Sequence, residues 1–129
     1  MNIKLGIIQI LKKDLTIENL SFGDEISVTL INFDKYNSIK IIPFFENIKK
    51  KELSILINIF NSIHVNIRLD DLLGKLHIVM LKFLIDKKTK QVLVVNDIGL
   101  TPNSINFLIQ NFEKLIEGFE NKSIIIYTN

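Results

Sequence analysis

QVLVVNDIGLTPNSINFLIQNFEKLIEGFENKSIIIYTN, residues 91–129, decides the fold. Val92-Leu93-Val94-Val95 is an uninterrupted apolar run, the pattern of a strand covered on both faces. Thr101 stands where a helix N-cap is needed, and Pro102 takes the first helical position, where no N–H is required. Ile105, Leu108, Ile109, Phe112, Leu115 and Ile116 then recur at helical spacing, and Gly118 follows as a stop. Residues 123–127, Ser-Ile-Ile-Ile-Tyr, read as a second buried strand. Strand, capped helix and strand make a βαβ unit, whose strands run parallel.

The pattern extends towards the N-terminus. Residues 70–85 read as a helix capped by Asp70 or Asp71, with Leu72, Leu73, Leu76, Val79, Met80, Phe83 and Leu84 around most of its circumference. A helix so apolar is buried or covered by a partner, and Leu73, Met80 and Leu84 are expected to meet a second chain. His64 to Ile67 alternates like a strand. Residues 50–62 carry Leu53, Leu56, Ile57 and Phe60 at helical spacing. Residues 38–42 read as a strand stopped by Pro43. Residues 2–10, 15–19 and 26–31 are short Ile- and Val-rich runs separated by turn signals at 12–14 and 22–24. The expected fold is one α/β domain over residues 1–129, with a mostly parallel sheet, flanking helices and a β-rich N-terminal part.

Composition excludes several classes. There is no cysteine, hence no disulfide framework and no thiolate metal site. Hydrophobic residues make up 47%, yet no apolar run approaches the roughly 18 residues that span a bilayer. The N-terminus lacks a signal-peptide pattern, so a cytoplasmic location is expected. Arg68 is the one arginine among 16 basic residues. Bidentate reading of guanine is therefore nearly excluded, and any nucleic-acid contact would run through lysine to phosphate, blind to sequence.

Two lysine groups are candidates for such contact: Lys49, Lys50 and Lys51 at a helix start, and Lys87, Lys88 and Lys90 in the turn before the apolar strand. Cations at a helix N-terminus oppose the macrodipole but can meet a phosphate there. Each group also reads as a solvated turn. Asp97, after the core strand, is the candidate ligand for a hard cation such as calcium, or else a turn residue. Asp70, Asp71 and Asp86 complete the acidic set. His64 and His77 have no second His or carboxylate at ligand spacing. His77 lies on an apolar helix and is expected to be packed and hydrogen-bonded.

Residues 43–50, Pro-Phe-Phe-Glu-Asn-Ile-Lys-Lys, are the stretch to set against a phosphate loop of the form G-x-x-x-x-G-K-[ST]. Pro43 and Ile48 fill the glycine slots, Lys50 fills the hydroxyl slot, and Lys49 alone keeps its type. Proline removes an N–H and isoleucine resists positive φ. Useful ATP binding is therefore not expected.

Two families resemble the chain. LTIENLSF (residues 15–22), LTPNSINFL (100–108) and KSIIIYTN (122–129) resemble segments of ATP-binding cassettes. In that alignment Asn96, Asp97 and Asn129 stand in the slots of the metal-binding Asp, the catalytic Glu and the switch His. Residues 51–128, including ELSILINIFNSIHVNIRLDDLLGKLHIVMLKFLIDKKTKQVLVVNDIGLTPNSI, are similar in order to the small accessory protein of type II-A CRISPR adaptation. That family is a degenerate P-loop fold that forms rings and binds duplex DNA ends and calcium without hydrolysing ATP. The chain departs from it in leaving no room for the helical leg. The resemblance implies a non-catalytic, homo-oligomeric, double-stranded DNA-binding protein that works with CRISPR adaptation proteins. The alternative is a catalytically dead cassette-like subunit that scaffolds or regulates a transporter or other assembly.

Overall fold

In the computed structural model, residues 5–6, 8–12, 26–31, 39–86, 88–96 and 100–128 are described. They form strands β1 (Ile8–Lys12), β2 (Ser27–Ile31), β3 (Gln91–Asn96) and β4 (Lys122–Thr128). The helices are α1 (Ile41–Glu46), α2 (Lys50–Ser62), α3 (Leu72–Asp86) and α4 (Pro102–Ile116). The four strands make one all-parallel sheet in the order β1-β4-β3-β2. This is the α/β class expected, and both N-terminal strands join that same sheet.

The order explains where the helices lie. β2, β3 and β4 follow one another across the sheet, so both crossovers advance in one direction. Right-handed crossovers advancing in one direction place their helices on one face. The burial agrees. Ile31, Leu93, Val95, Ile124 and Ile126 pack with apolar residues of α1 to α4 in one large core. Val92, Val94, Ile125 and Tyr127 point to the opposite face and pack with Leu5, Ile26 and Leu30. All six residues of β3 are buried, as an uninterrupted apolar strand requires.

α3 is the central helix. Leu76, Ile78, Val79, Met80, Leu81 and Leu84 are all buried within the chain. Phe44 of α1 stacks on Phe83 at 4.9 Å. The expectation that Met80 and Leu84 meet a second chain therefore loses its basis, because α1, α2, α4 and the sheet already cover them. Gly74 permits the tightest approach: a Cβ there would sit 1.8 Å from the Arg68 carbonyl oxygen. Asp71 is the α3 cap, its Oδ1 accepting from the Leu73 amide at 3.1 Å. Asp70 instead pairs with Arg68 at the surface.

Two expectations are corrected. Ile41 and Ile42 belong to α1 and not to a strand; only Ile39 makes an isolated bridge, to Ile31. The physical reason is that Pro43 falls in the first helical turn, where its missing N–H has no partner to lose. His64 to Ile67 is a helix end and not a strand. His64 takes φ of 62°, its amide donates to Asn61 O, and the Val65 amide reaches back to Phe60 O. That is a Schellman closure with a non-glycine residue in the left-handed position. At the N-terminus, Gly6 takes φ of 81° just before β1, which starts at Ile8 and continues through Lys12. The expected strand at 15–19 lies outside the described residues.

Candidate nucleic-acid interface

The α2–α3 pair brings the two lysine groups to one end of the molecule. Glu52, in the first turn of α2, forms an ion pair with Lys82, in the last turns of α3. Lys82 also reaches Asp86 at 2.8 Å. The start of α2, with Lys49, Lys50 and Lys51, therefore lies beside the end of α3, and Lys88 follows shortly after that end. Lys88 and Lys90 precede β3, so this is the end at which the parallel strands begin. Lys49, Lys50, Lys51, Lys88 and Lys90 are exposed. Among the described residues none of the five has an ion-pair partner. Lys87 lies outside the described residues.

Lys49 is the N-cap of α2, and its side chain makes no capping bond. The two lysines that follow crowd positive charge onto the positive end of the helix. Lys82 does not add to this field, because two carboxylates neutralise it. The five exposed lysines are the described cations of this end without an ion pair; Asp86 and Glu120 share the end, Glu120 lining a shallow cleft with Lys88 and Lys122.

A buried lysine underlies the second group. Lys122 opens β4 with only 3% of its surface exposed. Its Nζ donates to the carbonyl of Thr89 at 2.6 Å, between Lys88 and Lys90. The Ser27 amide donates to Lys90 O at 2.9 Å, and the Gln91 amide donates to Asn121 O at 2.9 Å. Sequence reading passed over Lys122 because a lysine opening an apolar strand looks like a solvated one. Its position opposite Gln91 in the sheet register was the information lacking.

The opposite end of the sheet holds the other candidate. β3 ends at Asn96, which is buried. Asp97, the calcium candidate, and Asn129 lie outside the described residues. Among the described residues no three His, Asp or Glu side chains gather as a metal-ligand set. The P-loop-like stretch holds no open cradle. Pro43 to Glu46 are helical, and the amides of Asn47 and Ile48 donate to Pro43, Phe44 and Phe45 carbonyls. Backbone N–H groups so used cannot curl around a phosphate.

His77 is the packed histidine expected. It is fully buried, and its Nδ1 lies 2.7 Å from Leu73 O. A carbonyl only accepts, so Nδ1 carries the proton. Nε2 is then the acceptor for Asn111 Nδ2 at 3.0 Å. The rings of Phe60, Phe107 and Phe112 surround it, with centroids at 5.7, 5.4 and 5.6 Å. Burial lowers its pKa from the ordinary 6.5, opposed by the Leu73 hydrogen bond and the charge of Asp71. Asn111 was the missed partner. It lies three residues after Leu108 and four before Leu115, a core-facing position in which a polar residue signals a buried bond.

Comparison with protein-family models, with curated proteins and with solved structures finds no match to this chain. No described helix is long and apolar enough to cross a membrane.

Proposed function

We propose that this is a non-catalytic protein that binds double-stranded DNA, ends included, through phosphate contacts and without sequence preference. The observation that carries the reading is the meeting at one end of Lys49, Lys50, Lys51, Lys88 and Lys90, all exposed and none held by a described carboxylate. Lys87 extends the same group in sequence. Lysine supplies point charge to phosphates, and one arginine supplies almost no base reading. The closed helical state of residues 43–46 supports a role without nucleotide hydrolysis. The resemblance to the CRISPR adaptation accessory protein gives the biological setting: a cytoplasmic homo-oligomer acting with CRISPR adaptation proteins in spacer acquisition. Calcium, at Asp97, belongs to the same reading.

The test is a gel shift on linear and circular duplexes at several salt concentrations, with and without calcium. Each neutralised phosphate contributes about −0.9 to the slope of log affinity against log salt. A sequence-independent complex with a steep slope is expected, and charge reversal at Lys50 and Lys88 should flatten it. No binding near physiological salt favours the second reading, a catalytically dead cassette-like subunit that scaffolds or regulates a transporter or other assembly. The closed P-loop-like stretch supports that reading equally. Tight binding of a single sequence overturns both.

A further inference from the structure

Lys122 is the least expected residue of the lysine-bearing end. It opens a central strand, 3% exposed, where methionine or leucine would bury an equal stem without an ammonium group. Burying a charged group costs several kcal/mol unless it is hydrogen-bonded. Its described hydrogen bond goes to Thr89 O, the middle of the Lys88-Thr89-Lys90 turn. The carbonyl of Lys90 is held in addition by the Ser27 amide. Two successive carbonyls of the turn are thus tied inward, one by a side chain of β4 and one by the backbone of β2. The side chains of Lys88 and Lys90 remain exposed.

We propose that Lys122 is a positioning residue for polyanion binding: from inside the fold it fixes the turn so that Lys88 and Lys90 face a phosphate backbone as a preset pair. It touches no phosphate itself. This deepens the duplex-DNA reading and rests on it. The advantage is entropic, since a turn already fixed loses less freedom when it binds. It also explains why the anchor is a lysine. A methionine stem would fill the same space but has no donor for Thr89 O.

The experiment uses the full chain with Lys122→Met, Lys122→Arg and Lys88→Gln. Two quantities are read: amide hydrogen exchange at residues 88–91, and affinity for a linear duplex as a function of salt. Lys122→Met is expected to speed exchange in the turn and weaken binding about tenfold, with the salt slope unchanged. Lys122→Arg keeps a donor and should restore both readouts towards wild type. It also separates loss of the anchor from general misfolding. Lys88→Gln should leave turn exchange alone and reduce the slope by about 0.9. The proposal is overturned if Lys122→Met leaves exchange and affinity as in wild type. It is also overturned if that variant reduces the slope by about 0.9, which would make Lys122 a direct phosphate ligand. If the wild-type protein binds no duplex, the DNA reading fails by itself, and the exchange arm still decides whether Lys122 holds the turn.

Discussion

The seam between α2, α3 and α4 and the lysine-bearing end treat basic groups in opposite ways. In the seam, His77 is buried, and Leu73 O and Asn111 Nδ2 saturate both ring nitrogens in the neutral form. At the end, five lysines stay exposed without described carboxylates, while Glu52 and Asp86 hold Lys82. The seam is arranged for stability, with polar atoms matched and charge excluded. At the end, five like charges are left without ion pairs among the described residues, an arrangement that adds no stability through pairing. The proposed polyanion site rests on that contrast: among the described residues, charge stays open on five lysines while Glu52 and Asp86 pair with Lys82.

The seam should fail first under substitution. Phe60 is fully buried and packs its ring edge-on to both His77 and Phe112, at 5.7 and 5.9 Å. Phe60→Ala removes that ring and leaves a cavity under α2, a loss of about 3–5 kcal/mol. Urea unfolding measures it. A loss under about 1 kcal/mol, well below the usual cost of such a truncation, would mean that the seam is not the stability centre and would break the contrast.

Asn111 tests whether matching, and not polarity, matters. Asn111→Ala leaves the Nε2 lone pair of His77 buried without a donor, at a cost of about 1–3 kcal/mol. The double variant His77→Leu with Asn111→Leu removes both partners and should recover most of that loss. If the double variant is no better than Asn111→Ala, the pair contributes through shape and the hydrogen bond is incidental.

These residues also show what was legible in the sequence. α2 starts and stops at the residues read from periodicity, and Thr101 caps α4 by accepting from the Ser104 amide at 3.1 Å. Both signals are local, carried by residues a few positions apart along the chain. The misread segments were ones in which a local rule had two outcomes. Pro43 ends a strand or opens a helix with equal ease, and in the fold it lies in the first turn of α1, just after the isolated Ile39–Ile31 bridge. His64 and Val65 alternate like a strand yet close a helix. Of the candidate site, the residue types were legible and their assembly was not. Lys50 and Lys88 are brought to one end by the Glu52–Lys82 pair, which links residues 30 apart and has no sequence signature.

Acid sharpens the contrast further, with a smaller effect. The folded pKa of His77 is lowered, chiefly by burial, so below the unfolded value of 6.5 the unfolded chain binds more protons than the folded one. The stability tied to neutral His77 is full above pH 6.5 and falls as the pH drops below 6.5 towards the lowered folded value. Denaturant midpoints at about pH 7.5 and about pH 5.5, on either side of the unfolded value, should separate in wild type and move together in His77→Gln. Equal pH dependence in wild type and His77→Gln would show that other groups govern it.

The smallest effect concerns the lysine end and has a sign the seam never shows. Lys50 is the first residue of α2, where a cation opposes the helix dipole at roughly 0.3–1 kcal/mol. Lys50→Glu removes that opposition and places an anion where the dipole favours one. The folded protein should gain about 0.5–1 kcal/mol, read as a higher denaturant midpoint. The same change should weaken duplex binding and reduce the magnitude of the salt slope by about 0.9, the share of a single phosphate. Substitutions in the seam lower stability, whereas this one raises it while lowering binding. A stability gain coupled to a loss of duplex binding would tie Lys50 to a ligand outside the chain. If Lys50→Glu stabilises the protein and leaves duplex binding unchanged, the α2 lysines are a solvated turn, and the interface contracts to Lys88, Lys90 and the turn that Lys122 anchors.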